Sequence, residues 1–151
     1  MEAITKEYLF GHIFLLANKL QTLGDAFLTE MTTKQWILLI VIFNMEKKEP
    51  SVTEIAETLG STRQNVRIML DALSKKDYVK LSVNEQDRRN LSVALTEKTL
   101  LFFDQFKPRG DAFLEQLFES ISEEHQEGAR KTVETLLNNI ERMEKHYGKS
   151  N

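Results

Sequence analysis

Two capped helical patterns lie one short turn apart near the middle of the chain, and this spacing constrains the fold more than any other feature. Ser51 and Glu54 form a capping box, in which the serine hydroxyl accepts from the N–H three residues on and the glutamate returns the bond. Gly60 stands where a helix commonly ends in a left-handed residue. Ser61 and Gln64 fit a second capping box. The sequence therefore predicts two helices joined by a tight turn.

The second of these helices is predicted to be amphipathic. Its apolar residues recur at the i, i+3, i+4, i+7 spacing of one buried stripe: Val66, Met69, Leu70 and Leu73. The opposite face carries Gln64, Arg67, Ile68, Asp71 and Lys75, with Arg63 and Asn65 beside it. Gln and Asn can bind adenine through two hydrogen bonds, and Arg can bind guanine in the same way. Together with the small Ala56 in the first helix, this polar face favours a helix-turn-helix over a plain helical hairpin.

Two short alternating patterns follow and predict the strands of a hairpin. Their apolar positions are Val79, Leu81 and Val83 in the first, and Leu91, Val93 and Leu95 in the second. The connecting residues 84–90 include Asp87, Arg88 and Arg89, and a long basic tip can reach a minor groove or phosphates. An Asp-Arg-Arg sequence alone is typical of a solvated turn. After a helix-turn-helix it favours a DNA-contacting wing, with Asp87 bracing one arginine.

These motifs together resemble the MarR family of bacterial transcription regulators. The resemblance is carried by Thr33, Gln35 and Trp36, by residues 51–56 and 62–66, and by Asp87-Arg88-Arg89 ahead of Leu95-Thr96. It covers nearly the whole chain and implies a mostly α fold with a small β-hairpin, in which terminal dimerisation helices flank a winged helix-turn-helix. It also implies a homodimer that binds a pseudo-palindromic operator in double-stranded DNA and is often released by a small-molecule effector.

Three positions depart from the pattern of that family. Asp77 stands where the family often has glycine before the first strand, Lys80 replaces a frequent arginine, and Thr99 replaces a common glycine. None of these departures removes a predicted DNA contact. Asp77 is the one expected to alter the entry to the wing.

The first part of the chain is predicted to form two helices. The stripe of a long helix over residues 4–28 consists of Ile4, Tyr8, Leu9, Ile13, Leu16, Leu20, Leu23 and Phe27. Thr32 is predicted to cap a second helix, in which residues 36–43 are apolar all round. Such a segment is typical of a fully buried helix.

The part of the chain after the hairpin is also predicted to be helical. Thr96 opens a helix that Pro108 is expected to kink or break near Phe106. Ser120 or Ser122 caps a last helix, whose apolar stripe is Val133, Leu136, Leu137, Ile140 and Met143. The terminal stripes exceed what a winged helix can cover, so burial against a second copy is the simplest prediction. An intramolecular helical cap is the alternative.

A single domain is therefore predicted for residues 1–151. In it, residues 1–31 and 96–151 are assigned to dimerisation and residues 32–95 to the winged helix-turn-helix. The net charge of −3 is unusual for a DNA-binding protein, but it is unevenly distributed. Residues 61–89 carry seven Lys and Arg against four Asp and Glu, whereas residues 96–151 carry eight against eleven. Salt screens charges beyond about 8–10 Å, so the local basic patch governs DNA binding.

Composition excludes several other classes of protein. The chain has no Cys, which excludes disulfides and the thiol-based peroxide sensors of the resembled family. Its start shows no basic-then-apolar leader, and its longest apolar run is too short to span a bilayer, so a cytoplasmic protein is expected. The three His share no metal-ligand spacing, and no phosphate loop or nucleophile elbow occurs. No metal, cofactor, catalytic residue or membrane partner is predicted.

The candidate site residues form two groups. The predicted DNA-binding residues are Ser51, Ser61, Thr62, Arg63, Gln64, Asn65, Arg67, Lys75, Asp87, Arg88 and Arg89. Of these, Gln64, Asn65 and Arg67 are expected to reach base edges, while Ser61 and Thr62 hold a phosphate with backbone N–H groups. The candidate effector pocket consists of aromatic residues for which core and dimer packing is the alternative: Phe10, Phe14, Trp36, Phe102, Phe103 and Phe106.

The function predicted from the sequence is a homodimeric transcription regulator. A repressor is favoured over an activator, because occluding an operator needs no further protein surface. The alternative is a winged helix that serves as a protein-interaction module without binding DNA. Such a module would have no need of Arg67 or of the Arg88-Arg89 tip.

Overall fold

The computed structural model describes the backbone of residues 2–148 and the side chains of residues 5–148. Within that range the elements in chain order are α1 (Glu2–Phe27), α2 (Thr33–Asn44), α3 (Val52–Leu59), α4 (Arg63–Lys75), β1 (Val79–Val83), β2 (Leu91–Leu95), α5 (Glu97–Leu117) and α6 (Glu123–Tyr147). The chain forms two compact units that divide within α5, between Gln105 and Phe106. The predicted fold class, mostly helical with a small β-hairpin, is confirmed.

The first unit has a well-buried core built from α2, α3, α4 and the hairpin. Its apolar side chains with no exposed surface include Leu38, Leu39, Ile55, Val66, Leu70, Leu73 and Val93. The predicted apolar stripe of α4 is confirmed, with Met69 only half-buried at its edge. Fully burying one such side chain stabilises a fold by about 1.5–3 kcal/mol. The winged region thus supplies its own core.

The caps of α2 and α3 are those predicted, and the cap of α4 is not. The Ser51 hydroxyl accepts from the Glu54 N–H at 3.2 Å, and the Glu54 carboxylate accepts from the Ser51 N–H at 2.7 Å. At α4, however, it is Thr62 whose hydroxyl accepts from the Asn65 N–H, at 3.1 Å. The prediction of a Ser61 cap was wrong because the Ser61 N–H donates to the Ala56 carbonyl and so closes α3.

Two helix ends use the same turn with different residues. After α3, Gly60 has a φ of 69°, and after α4, Asp77 has a φ of 63°. Both ends carry the paired bonds of a Schellman motif, in which the Tyr78 N–H donates to the Leu73 carbonyl in the second case. Asp77 therefore adopts the left-handed conformation that glycine takes more cheaply, and the chain enters β1 from there.

The hairpin has the predicted strands and is fastened to the helices. Val79 pairs with Leu95 and Val83 with Leu91 in an antiparallel register. The Val93 N–H donates to the Pro50 carbonyl at 2.9 Å. Thr99, which also departs from the pattern of the resembled family, is fully buried. Its hydroxyl donates to the Tyr78 carbonyl at 2.5 Å. These bonds fix the wing relative to α3 and the start of α5.

The remaining helices correct one expectation and decide between alternatives in two others. α2 is not fully buried, because only Leu38, Leu39 and Ile42 are buried, while Phe43 is 54% exposed. α5 is one helix through Pro108, so the expected break is absent, and the kink stays a prediction. Ser122, not Ser120, caps α6.

The apolar stripes at the two ends of the chain are largely exposed. On α1, Tyr8, Leu9, Ile13, Leu16 and Leu23 are each 47–57% exposed, and the side chain of Ile4 lies outside the described residues. α6 has no buried residue at all. Among the described residues, no helix is long and apolar enough to cross a membrane.

Candidate nucleic-acid interface

A small groove forms where the first turns of α4 face the base of the wing. Its volume is about 250 Å³, and its lining consists of Val52, Arg63, Gln64, Arg67, Arg89, Asn90 and Leu91. The folding of the hairpin against the helix-turn-helix brings together residues more than twenty positions apart in the sequence. Three guanidinium groups therefore line one groove. Their local positive charge attracts the phosphates of DNA.

The outer face of α4 presents hydrogen-bonding side chains to solvent. Arg63, Gln64, Asn65 and Arg67 are exposed, as the amphipathic pattern predicted. Ile68, on the same face, is 61% exposed. Lys75 is exposed at the far end of the helix. An exposed helix with this composition has the donors and acceptors that base edges require in a major groove.

Arg67 is held by a partner on its own helix. Its Nε donates to Asp71 Oδ1 at 2.9 Å, one helical turn later. The two side chains are 48% and 47% exposed, so the pair lies at the surface. Asp71 was not among the predicted site residues. The i, i+4 spacing of an acid and a base was the signal that could have identified it.

The tip of the wing is organised by two acidic or amide side chains. Asn84 Oδ1 accepts from the N–H groups of Gln86 and Asp87, at 2.9 and 3.2 Å. Asp87 Oδ1 accepts from the Arg89 N–H at 3.0 Å. The expected brace is therefore made to the backbone of Arg89 and not to a guanidinium. Within residues 5–148, neither Arg88 nor Arg89 has a carboxylate within ion-pair distance, and both are exposed.

The base of the wing is tied to α3 through Asn90. Its amide Nδ2 donates to the Thr53 hydroxyl at 3.1 Å, while its buried Oδ1 accepts no bond within the described protein. Because Asn90 also lines the groove, this tie fastens the base of the wing to α3 beside that groove.

Two of the predicted site residues are used elsewhere in the fold. Ser51 is only 5% exposed, and its hydroxyl is engaged in the cap of α3. The Ser61 N–H, which was expected to hold a phosphate, donates to the Ala56 carbonyl. Thr62 is exposed at the start of α4, where the first N–H groups of a helix attract anions. The helix terminus remains suited to a phosphate, although Ser61 does not supply the donor.

The glutamate of the α3 cap is electrostatically stabilised. The Ser51 N–H, and after it the Lys47 ammonium, lowers the pKa of Glu54 below its ordinary value of 4.5. The Lys47 Nζ lies 3.0 Å from Glu54 Oε1. This cap therefore keeps its charge under mildly acidic conditions and holds α3 in place behind the groove.

The six aromatic candidates for an effector pocket fall on α1, α2 and α5. Phe10 and Phe14 are 71% and 61% exposed, and their rings lie 5.4 Å apart. Trp36, Phe102 and Phe103 are half-buried against the core of the first unit. Phe106 belongs to the second unit, where Arg109 lies over its ring. An effector pocket formed by these residues stays a prediction.

Metal-ligating side chains do not gather in the described part of the chain. No group of three or more His, Asp or Glu there could hold an ion.

Comparison with known proteins shows similarity to one family of regulators. Residues 29–90 match the MarR family. The chain is 32% identical over 94 residues to the uncharacterised HTH-type transcriptional regulator YfiV of Bacillus subtilis, covering 62% of this chain and 59% of that protein. It is 28% identical over 109 residues to the transcriptional repressor MprA of Escherichia coli, covering 72% and 62%. The chain thus spans about 60% of the length of these curated relatives.

A solved structure shows that the similarity extends to the fold. The S. aureus MepR–DNA complex superposes with a TM-score of 0.75 at 22% identity, covering 89% of this chain and 97% of that one. Both curated relatives are named as transcriptional regulators or repressors. The resemblance to the MarR family is thereby confirmed: residues 29–90, which include the helix-turn-helix and most of the wing, match that family.

Proposed function

We propose that this protein is a sequence-specific transcription regulator that binds double-stranded DNA as a homodimer and represses from a pseudo-palindromic operator. The observation that carries the proposal is the groove in which Arg63 and Arg67 of α4 meet Arg89 of the wing. A protein-interaction module would leave this cluster of cations without a role. Two similar proteins support the proposal. The MepR structure, which shares this fold, is a complex with DNA, and MprA is named a transcriptional repressor.

In the proposed complex, α4 enters the major groove. Gln64 and Asn65 would bind adenine, and Arg67 would bind guanine, each through two hydrogen bonds. The exposed first turn of α4 would receive a phosphate, with Thr62 as its cap. The wing would lie over the adjacent minor groove. Bases would then be read by the outer face of α4, and register would be set by the phosphate contacts.

The proposed dimer follows from the exposed apolar faces at the two ends of the chain. Along α6 these side chains are 39–58% exposed: Val133, Leu136, Leu137, Ile140 and Met143. A second copy would bury the same faces around a twofold axis. Two copies of α4 would then lie about one DNA turn apart, roughly 10 base pairs, which matches a pseudo-palindromic operator.

We also propose that a small-molecule effector releases the operator. The exposed Phe10 and Phe14 rings offer apolar contacts to such a ligand. Trp36 is the only tryptophan of the chain and is half-buried, so its fluorescence reports binding nearby. Titration with a panel of small aromatic compounds should produce a saturable fluorescence change that parallels loss of DNA binding. A panel that changes neither signal would contradict the effector proposal without affecting the DNA-binding one.

The two wing arginines provide the test of DNA binding. Operator DNA is first selected by the full-length protein from a random-sequence pool, and affinities are measured at several salt concentrations. Arg88→Ala should remove one phosphate contact and flatten the slope of log K against log salt by about 0.9, whatever the sequence. Arg89→Ala should instead weaken sites with A·T-rich flanks selectively, because a narrow minor groove attracts arginine.

The control for this test is Lys107→Ala, which removes one positive charge from α5. It should leave the salt slope unchanged. If Arg88→Ala shows the flank dependence instead, the roles of the two arginines are reversed. If the unmodified protein selects no sequence, or binds DNA without salt dependence, the proposed function is wrong.

A further inference from the structure

One acidic side chain lies where a DNA-binding surface would be expected to avoid negative charge. Asp71 is on the outer face of α4, and its Oδ1 lies 2.9 Å from Arg67 Nε. A carboxylate beside DNA repels the phosphate backbone, so it weakens binding to every sequence. A helix-stabilising ion pair alone could be placed anywhere on the chain, as Lys107 and Asp111 are on α5.

The geometry of the pair favours a particular contact by Arg67. A guanidinium carries five N–H donors in a planar fork. Because Asp71 engages Nε, the two terminal nitrogens are left to bind together. Two parallel N–H groups are what guanine O6 and N7 require for bidentate recognition. The carboxylate also restricts a long flexible side chain, which reduces the freedom lost when DNA binds.

We propose that Asp71 is a positioning residue that fixes the guanidinium of Arg67 for bidentate recognition of one guanine. The inference rests on the proposed function and extends it from affinity to specificity. Asp71 lowers affinity for all DNA, and it raises the preference for the base pair that Arg67 reads. Removing the Asp71 carboxylate should therefore raise the affinity for all DNA and lower the preference for that base pair.

The test measures affinity of the full-length protein for a selected operator and for single base-pair variants of it. Arg67→Ala first identifies the base pair at which preference is relaxed. Asp71→Ala should reduce preference at that base pair by about tenfold, while binding to unrelated DNA becomes tighter. In the double variant with Arg67→Ala, preference should fall no further than in Arg67→Ala alone.

Asp71→Asn separates positioning from charge. The asparagine carbonyl can still accept from Arg67 Nε, but the negative charge is gone. It should retain much of the base preference while binding unrelated DNA as tightly as Asp71→Ala does. Asp111→Ala is the matched control, because it breaks an exposed i, i+4 pair of 2.7 Å on α5. It should leave base preference unchanged.

Three results would overturn the inference. Asp71→Ala could keep full preference with only a lower melting temperature, which would assign the pair to helix stability. Asp71→Asn could lose as much preference as Asp71→Ala, which would assign the effect to charge. If the unmodified protein shows no base preference, the proposed function fails and the inference fails with it.

Discussion

Large apolar side chains are buried in the winged helix and exposed on the last helix of this chain. Leu38 and Leu70, in the winged helix, have no exposed surface, whereas Leu137 and Ile140 on α6 are 58% and 48% exposed. Both regions are equally regular helical structure. The difference teaches that the winged helix is completed by its own chain, while α6 has an apolar face that its own chain does not cover.

Charge divides the two regions in the same way. Residues 61–89 have an excess of three cations, whereas residues 96–151 have an excess of three anions. The basic region faces the groove between α4 and the wing, which suits DNA. The acidic and apolar helices would be repelled by DNA and are suited to a protein partner. We infer that the two regions bind different partners, DNA and a second copy of the chain.

The largest expected effect comes from placing charge on the α6 face. If the proposed dimer uses this face, replacing Leu137 and Ile140 with Glu should convert it to a monomer, because each burial contributes about 1.5–3 kcal/mol and occurs twice in a symmetric interface. Asn138→Glu, on the opposite side of α6, is the control and should remain dimeric. Sedimentation velocity measures the outcome. A double variant that stays dimeric would remove α6 from the interface.

The next effect tests the core of the winged helix. Leu70→Ala should lower the free energy of unfolding by about 2–5 kcal/mol, because it leaves a cavity in a fully buried site. The stability lost in Leu70→Ala should not depend on protein concentration. The same change at the exposed Leu137 should instead weaken the dimer, so its effect on thermal unfolding should vary with concentration. Equal and concentration-independent losses at both positions would refute the distinction between the two regions.

A smaller effect is expected at the entry to the wing. Asp77→Gly should raise the free energy of unfolding by about 0.5–1 kcal/mol, because relief of the left-handed backbone outweighs the added freedom of the unfolded chain. Asp77→Asn should be nearly neutral, since asparagine also tolerates this conformation. Urea unfolding measures both. A destabilised glycine variant would show that the Asp77 side chain has a stabilising contact that outweighs the strain.

The smallest effect concerns pH. The folded state lowers the pKa of Glu54, so this glutamate stabilises the fold above pH 4.5, and the contribution is lost as the pH falls through its lowered folded pKa. Glu54→Gln keeps a side chain that can complete the cap but has no charge to titrate. The stability difference between the two proteins should shrink on acidification from neutral pH, by a few tenths of a kcal/mol for so exposed a pair. A difference that is the same at pH 7 and pH 3 would contradict this account.

The elements of the winged helix could be predicted because their signals are local. Capping boxes and alternating residues gave the bounds of α3, β1 and β2, and the α4 stripe gave its buried face. The cap of α4 could not be assigned in this way, because the end of α3 competes for Ser61. Exposure of Phe43 was missed because an apolar segment does not reveal which of its faces the chain will cover.

The exposure of the candidate site residues on α4 and the wing tip could be predicted from the sequence, whereas their contacts could be predicted less well. The outer face of α4 and the wing tip followed from composition and spacing, but their meeting in one groove depends on long-range packing. Asp87 was expected to brace a guanidinium and instead accepts from the Arg89 N–H. A short acidic side chain reaches a backbone N–H two residues on more readily than a mobile side chain.

The most direct test of the account is sedimentation equilibrium of the full-length protein, alone and with a duplex that carries one selected operator. If the winged helix binds DNA and the terminal helices bind a second copy, the free protein should have twice the 17.5 kDa chain mass. The complex should then contain one such dimer per duplex. A well-behaved monomer that binds the operator tightly as a single chain would contradict it. In that case the exposed faces of α1 and α6 would not be a homodimer interface.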